Sequence, residues 1–125
     1  MHIIISNASL DPIYEQIARQ IKSSILKGNL EPGDLLPSIR GLAKDLQISV
    51  ITTKRAYEEL EKEGFIESVT GKGSYVAGQS SAILKEKRLK IVEEKLAEAV
   101  AESKVLGITP AELQEMLTLL FEEGD

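Results

Sequence analysis

Leu36 to Val76, LPSIRGLAKDLQISVITTKRAYEELEKEGFIESVTGKGSYV, decides the fold of this 125-residue chain. Ser38, just after Pro37, caps a short helix to about Leu46, with Ile39, Leu42, Ala43 and Leu46 on its inner face. Gln47-Ile48 is the turn. Ser49 then caps a longer helix reaching about Glu63 and closed by Gly64, with Thr53, Ala56, Tyr57 and Leu60 as its inward stripe. Two short strands follow, near Phe65 to Val69 and Ser74 to Val76. Thr70-Gly71-Lys72-Gly73 joins them, its glycines accepting the positive φ of a hairpin tip. Helix, turn, helix and hairpin in this order make a shape that fits duplex DNA.

Upstream, a helix is expected from about Asp11 to Lys27. Asp11 is its expected cap, Pro12 stands where a missing N–H costs nothing, and Glu15 sits in the first turns. Ile13, Ile17, Ile21, Ile25 and Leu26, with Tyr14 and Ala18, form its apolar stripe. LEPGDLLP after Gly28-Asn29 reads as a loop with a tight turn at Pro32-Gly33.

Downstream, Gly78-Gln79-Ser80-Ser81 is a composition break and the expected boundary. A long helix then spans Ile83 to Leu106 and ends at Gly107. Thr109-Pro110-Ala111-Glu112 is a capping box that starts a last helix. The long helix carries Ile83, Leu84, Ile91, Val92, Leu96, Ala99, Val100, Val105 and Leu106. The last one carries Leu113, Met116, Leu117, Leu120 and Phe121. Two such stripes bury little without a further surface. Docking onto the preceding domain is one outlet. Dimerisation is the favoured one, because a two-fold dimer reads an inverted repeat and one small domain makes too few specific contacts.

The formal net charge of -5 opposes nucleic-acid binding at first sight. Its distribution reverses that. Residues 1–79 hold nine Lys or Arg against ten Asp or Glu, a net of -1; residues 80–125 hold six against ten, a net of -4. Between Ser38 and Tyr57, Arg40, Lys44, Lys54 and Arg55 face only Asp45, a local excess of +3. Along the second helix of the pair the outward set is Ile51, Lys54, Arg55, Glu58 and Lys62, with Val50 and Thr52 in the first turn. Basic residues come early and Glu58, Glu59, Glu61 and Glu63 late, which suits a helix entering the major groove by its N-terminal end. The competing view is a solvated face in which Lys54 and Arg55 pair with Glu58 and Glu59.

Other chemistries find no footing. There is no cysteine, and the single histidine, His2, lies at the extreme terminus, so no catalytic or metal site and no cofactor are expected. Glu93-Glu94 and Glu122-Glu123 diverge on their helices, and Gly71-Lys72-Gly73 lacks the spacing of a phosphate loop. MHIIISNASLDP is too short for a signal peptide and no run spans a membrane, so a cytoplasmic setting is expected.

PSIRGLAKDL, then IS before TTKRAYEELEKEG, then FIESVTGKGSYV, resembles the GntR family of bacterial transcription regulators over about Pro12 to Ala77. The short tail and AYEELEKEG look most like its YtrA-type branch. The resemblance implies an α+β fold: a winged helix-turn-helix DNA-binding domain over residues 1–79 (core 11–79), then a two-helix dimerisation tail over 80–125. It implies DNA contacts at Arg40, Ser49, Thr52, Lys54 and the wing tip Thr70, Gly71, Lys72 and Gly73, beside Val50 and Arg55 on the outward face. Many members carry arginine where this chain has Val50, so a bidentate guanine contact is not expected there. Packing of Val50 into the core is the favoured expectation there, and contact of Val50 or Ile51 with a thymine methyl is the alternative. Ile91, Leu96, Val100, Leu113, Leu117, Leu120 and Phe121 are the expected dimer contacts. The implied role is a homodimeric regulator, a repressor of a nearby operon (often for a transporter), bound to double-stranded DNA at an inverted-repeat operator. A winged-helix adaptor for protein partners is the alternative, and no effector is specified.

Overall fold

The computed structural model describes residues 1–123 and falls into two compact units, Met1–Ser81 and Ala82 onward. The last two residues of the expected tail lie outside the described residues. Helices α1 (Ile13–Leu26), α2 (Ile39–Leu46) and α3 (Val50–Lys62) precede a hairpin of β1 (Ile66–Val69) and β2 (Gly73–Val76). The second unit consists of α4, which starts at Ser81 and runs to Leu106, and α5 (Pro110–Glu123).

The first unit is held by one core. Ile17, Ile21 and Ile25 of α1, Leu42 and Ala43 of α2, Ala56, Tyr57 and Leu60 of α3, and Phe65, Ile66 and Val76 around the hairpin are all buried, with α3 packed against α1, α2 and β1. Ser38 and Ser49 cap as their sequence positions suggest, accepting from the N–H groups of Gly41 at 2.9 Å and Thr52 at 3.1 Å. Gly41 has to remain small, because a Cβ there would lie 2.8 Å from the Ser38 hydroxyl oxygen and push the cap aside. α1 starts differently from expectation. Pro12 occupies the cap position without a side-chain bond, its carbonyl accepting from Glu15 and Gln16. The Asp11 carboxylate instead pairs with Arg19 at 2.9 Å, since a long guanidinium two turns along reaches it better than the first-turn amides do.

The sheet is larger than the two strands read from sequence. β1 and β2 pair antiparallel from Ile66↔Val76 to Val69↔Gly73, so Gly73 is a ladder residue rather than part of the connection. The segment read as a loop adds a short third edge. Gly33 and Leu36 donate to Val76 and Ser74, Val76 donates to Asp34, and Leu35 bridges Tyr75. This edge buries Leu36 and fastens the base of the wing.

A second fastening lies at the N-terminus. Gln20 exchanges two hydrogen bonds with the backbone of Ile4, at 2.9 and 2.7 Å. Gln16 does the same with Ser6, at 2.8 and 3.1 Å, and also donates to the Asp11 carbonyl. The fit is geometric: four helical residues advance ~6 Å, and two residues of extended chain ~6.6 Å, so two glutamines one turn apart imitate a neighbouring strand.

Gln47 ends α2 with φ 57° and ψ 47°, the one non-glycine at positive φ among the described residues. A Cβ in that region costs about 1 kcal/mol, only partly offset by the greater chain entropy of glycine when unfolded. The difference is about 0.5 kcal/mol, so Gln47→Gly is expected to raise Tm by about 2 °C in a thermal melt. An unchanged or lower Tm would show the turn to be unstrained.

Candidate nucleic-acid interface

α3 is positioned by its buried side. Thr53 is fully buried and its hydroxyl donates to the Ser49 carbonyl at 3.2 Å. Tyr57, 2 % exposed, donates its hydroxyl to the Pro37 carbonyl at 2.7 Å and so ties α3 to the residue before the α2 cap. Burial pushes the Tyr57 phenol up from 10.0 to about 12. A raised phenol favours the protonated fold, so its contribution is full below pH ~10 and fades as pH rises toward ~12. Tyr57→Phe is expected to cost about 1 kcal/mol at neutral pH and to flatten the loss of stability between pH ~10 and ~12. Denaturant melts along that pH range check it, and an unchanged alkaline decline would contradict it.

The outward side of α3 separates its charges by function. Glu63 pairs with Lys22 of α1 at 2.6 Å, and Glu61 accepts from Ser68 of β1 at 3.1 Å. These late carboxylates are therefore engaged by the body of the domain. Lys54 is exposed, as are Arg40 and Lys44 on α2, and none of the three has an ion-pair partner among the described residues. The pairs of Lys54 with Glu58 and of Arg55 with Glu59 that the competing view requires are absent from the ion pairs among the described residues.

Each expected DNA contact has a definite place. Arg40 is exposed in the first turn of α2. The Ser49 hydroxyl donates to the Thr52 hydroxyl at 2.7 Å while accepting from its N–H, so both groups serve the cap. No protein acceptor meets the N–H groups of Val50 and Ile51 among the described residues, as at any helix start, and these suit an anion. Val50 is 41 % exposed, which corrects the core-packing expectation. Arg55 stands apart from the others. Its guanidinium stacks 3.8 Å from the centre of the Tyr14 ring and donates to the Tyr14 hydroxyl at 3.2 Å. Tyr14, read as part of the apolar stripe, thus serves as a platform for Arg55; a contact spanning 41 positions leaves no local signal.

The wing tip is exposed throughout. Lys72 N–H donates to the Val69 carbonyl at 2.9 Å, and Gly71 and Gly73 take φ of 78° and 101°. The Tyr75 hydroxyl donates to the Lys72 carbonyl at 3.1 Å, which braces the tip without consuming the Lys72 ammonium. Hydrogen bonds join Ser49 to Thr52 and Arg55 to Tyr14, whereas Arg40, Lys54 and Lys72 make none with one another among the described residues.

The tail presents a different surface. Among its described residues only Ser103 is buried, its hydroxyl donating to the Ala99 carbonyl at 2.7 Å. Leu89, Val92, Leu96 and Val100 form an exposed stripe on α4, to which Leu89 is an addition. On α5, Leu117 (41 %), Leu120 (65 %) and Phe121 (84 %) are exposed and Leu113 is half-buried, as is Ile91 on α4. The Thr109 capping box forms, with Glu112 donating to Thr109 at 3.2 Å and accepting from it at 3.0 and 3.2 Å.

Two helices meeting through a tight turn, backed by a third helix and followed by a hairpin, define a winged helix-turn-helix protein. Residues 13–76 match the family described as bacterial regulatory proteins, gntR family, and the chain belongs to that GntR family, on its YtrA-like branch. It is 37 % identical over 115 residues to the HTH-type transcriptional repressor YtrA of Bacillus subtilis (strain 168), covering 92 % of this chain and 88 % of that one. A GntR family transcriptional regulator from Listeria monocytogenes superposes with a TM-score of 0.77 at 30 % identity, covering 91 % of this chain and 97 % of the other. The DNA-binding domain of AraR in complex with operator ORX1 superposes with a TM-score of 0.55 at 26 % identity, over 62 % of this chain and 96 % of the other.

Proposed function

We propose that this GntR-family regulator is a cytoplasmic homodimeric repressor that binds an inverted-repeat operator in double-stranded DNA. The observation that carries the DNA contact is the division of charge on the winged domain. Arg40, Lys44 and Lys54 are exposed and have no ion-pair partner among the described residues, while Glu61 and Glu63 are engaged elsewhere. In the reading proposed, Lys54 and Arg40 bind phosphate, the first turn of α3 enters the major groove, and Thr70, Gly71, Lys72 and Gly73 reach the adjacent backbone or minor groove. Ser49 and Thr52 shape the helix start that meets phosphate, and Arg55 on its Tyr14 platform borders the contact. Repression is favoured by the similarity to a repressor over nine-tenths of the chain.

Dimerisation is supported by the tail, on which most apolar side chains of α4 and α5 are exposed. A surface of this kind is ordinarily covered in a stable protein. The domain division at residue 79 belongs to the same proposal: the winged unit reads DNA and the tail joins two copies. The test is the affinity of the full chain for a duplex across a salt series. A straight fall of log affinity with log salt is expected. A salt-independent association, or none, would favour the adaptor reading instead.

A further inference from the structure

We propose that Ile51, with Val50 beside it, reads thymine C5-methyl groups in the operator, so that base selection by α3 at these positions is apolar. This rests on the DNA-binding reading above and names what that site selects.

Three observations converge on it. Ile51 is 80 % exposed and Val50 41 %, at the first two positions of α3, so neither contributes a full side chain to the core. In the same turn Ser49 spends its hydroxyl proton on the Thr52 hydroxyl at 2.7 Å, and Thr52 is only half-exposed. The tip of the helix therefore presents aliphatic carbon as its outermost chemistry. Lys54, three residues beyond Ile51 and four beyond Val50, lies on the same helical face and supplies a free charge for the backbone.

An isolated exposed isoleucine would mean little, since apolar side chains are common on surfaces. Position gives this pair its meaning. In the major groove the base edges are dominated by donors and acceptors, and the thymine methyl is the one apolar group that protrudes from them. An aliphatic side chain pressed on any other edge strips water from a polar group and returns no hydrogen bond, which is unfavourable. Pressed on a thymine methyl, it buries carbon against carbon. Preference for thymine then needs no hydrogen bond from α3 at that position.

The experiment uses the full chain and the best duplex selected from a random pool, synthesised with thymine or with uracil throughout. Uracil lacks only the methyl, and removing one buried methyl lowers affinity about three- to fivefold. With one such methyl in each of two half-sites, the protein is expected to bind the uracil duplex about 10- to 25-fold more weakly. V50A/I51A, which alters only exposed side chains and improves helix propensity, should bind the two duplexes equally while keeping its salt dependence. Equal binding of both duplexes by the unaltered chain would overturn the inference and leave the DNA-binding reading intact. So would a thymine preference that survives in V50A/I51A. Absence of any duplex binding would overturn both.

Discussion

Replacing Arg40 and Lys54 together by alanine is expected to weaken duplex binding about 10²–10³-fold at 0.15 M salt. Each phosphate contact contributes a slope of about 0.9 in log affinity against log salt, equivalent to about fivefold at that concentration. Two residues in each of two protomers remove four contacts, so the slope itself should fall by between about 3 and 4. Both side chains are exposed and without an ion-pair partner among the described residues, so the fold should not change. Fluorescence anisotropy over a salt series measures affinity and slope together. An unchanged slope would remove Arg40 and Lys54 from the contact.

The other large effect concerns the tail. Leu117→Glu with Phe121→Glu is expected to convert a dimer into a monomer in sedimentation equilibrium. It should also weaken operator binding about 10²–10⁴-fold, as the second half-site loses its effective concentration. The two positions are one turn apart on α5 and 41 % and 84 % exposed, so both carboxylates reach solvent in an isolated protomer. In a packed interface they would be buried without partners, in a tail already at -4 over residues 80–125. A variant that remains dimeric, or a monomer that binds at full strength, would contradict the dimerisation proposal.

Much of the winged unit was legible because its determinants are local. Ser38, Ser49 and Thr109 cap helices through groups three residues away, and the stripe of Thr53, Ala56, Tyr57 and Leu60 follows helical period alone. What escaped is non-local. The edge formed by residues 33 to 36 depends on hydrogen bonds to β2, about forty positions on, and its Pro32-Gly33 punctuation resembles any turn. Asp11 had the chemistry of a cap but found Arg19, and Arg55 had the exposure of a groove residue but found Tyr14. The pair Gln16 and Gln20 carried a faint signal, two amides one turn apart beneath an isoleucine-rich terminus; only the positions of Ile4 and Ser6 give it meaning.

For the candidate site, charge placement was readable and its consequences were not. Sequence located the excess at Arg40, Lys44, Lys54 and Arg55. Structure separates Arg55 by its stacking and brings Val50 into solvent beside Ile51. The late glutamates of α3, which looked like an electrostatic obstacle, are partly drawn off by Lys22 and Ser68.

The most direct test is selection of duplexes from a random pool by the full chain. The proposal predicts an enriched inverted repeat whose half-site centres lie about one helical turn apart, ~34–36 Å, or a multiple of it. Recovery of no sequence above the background, or of a single unrepeated half-site, would contradict a dimeric, sequence-specific reader of DNA.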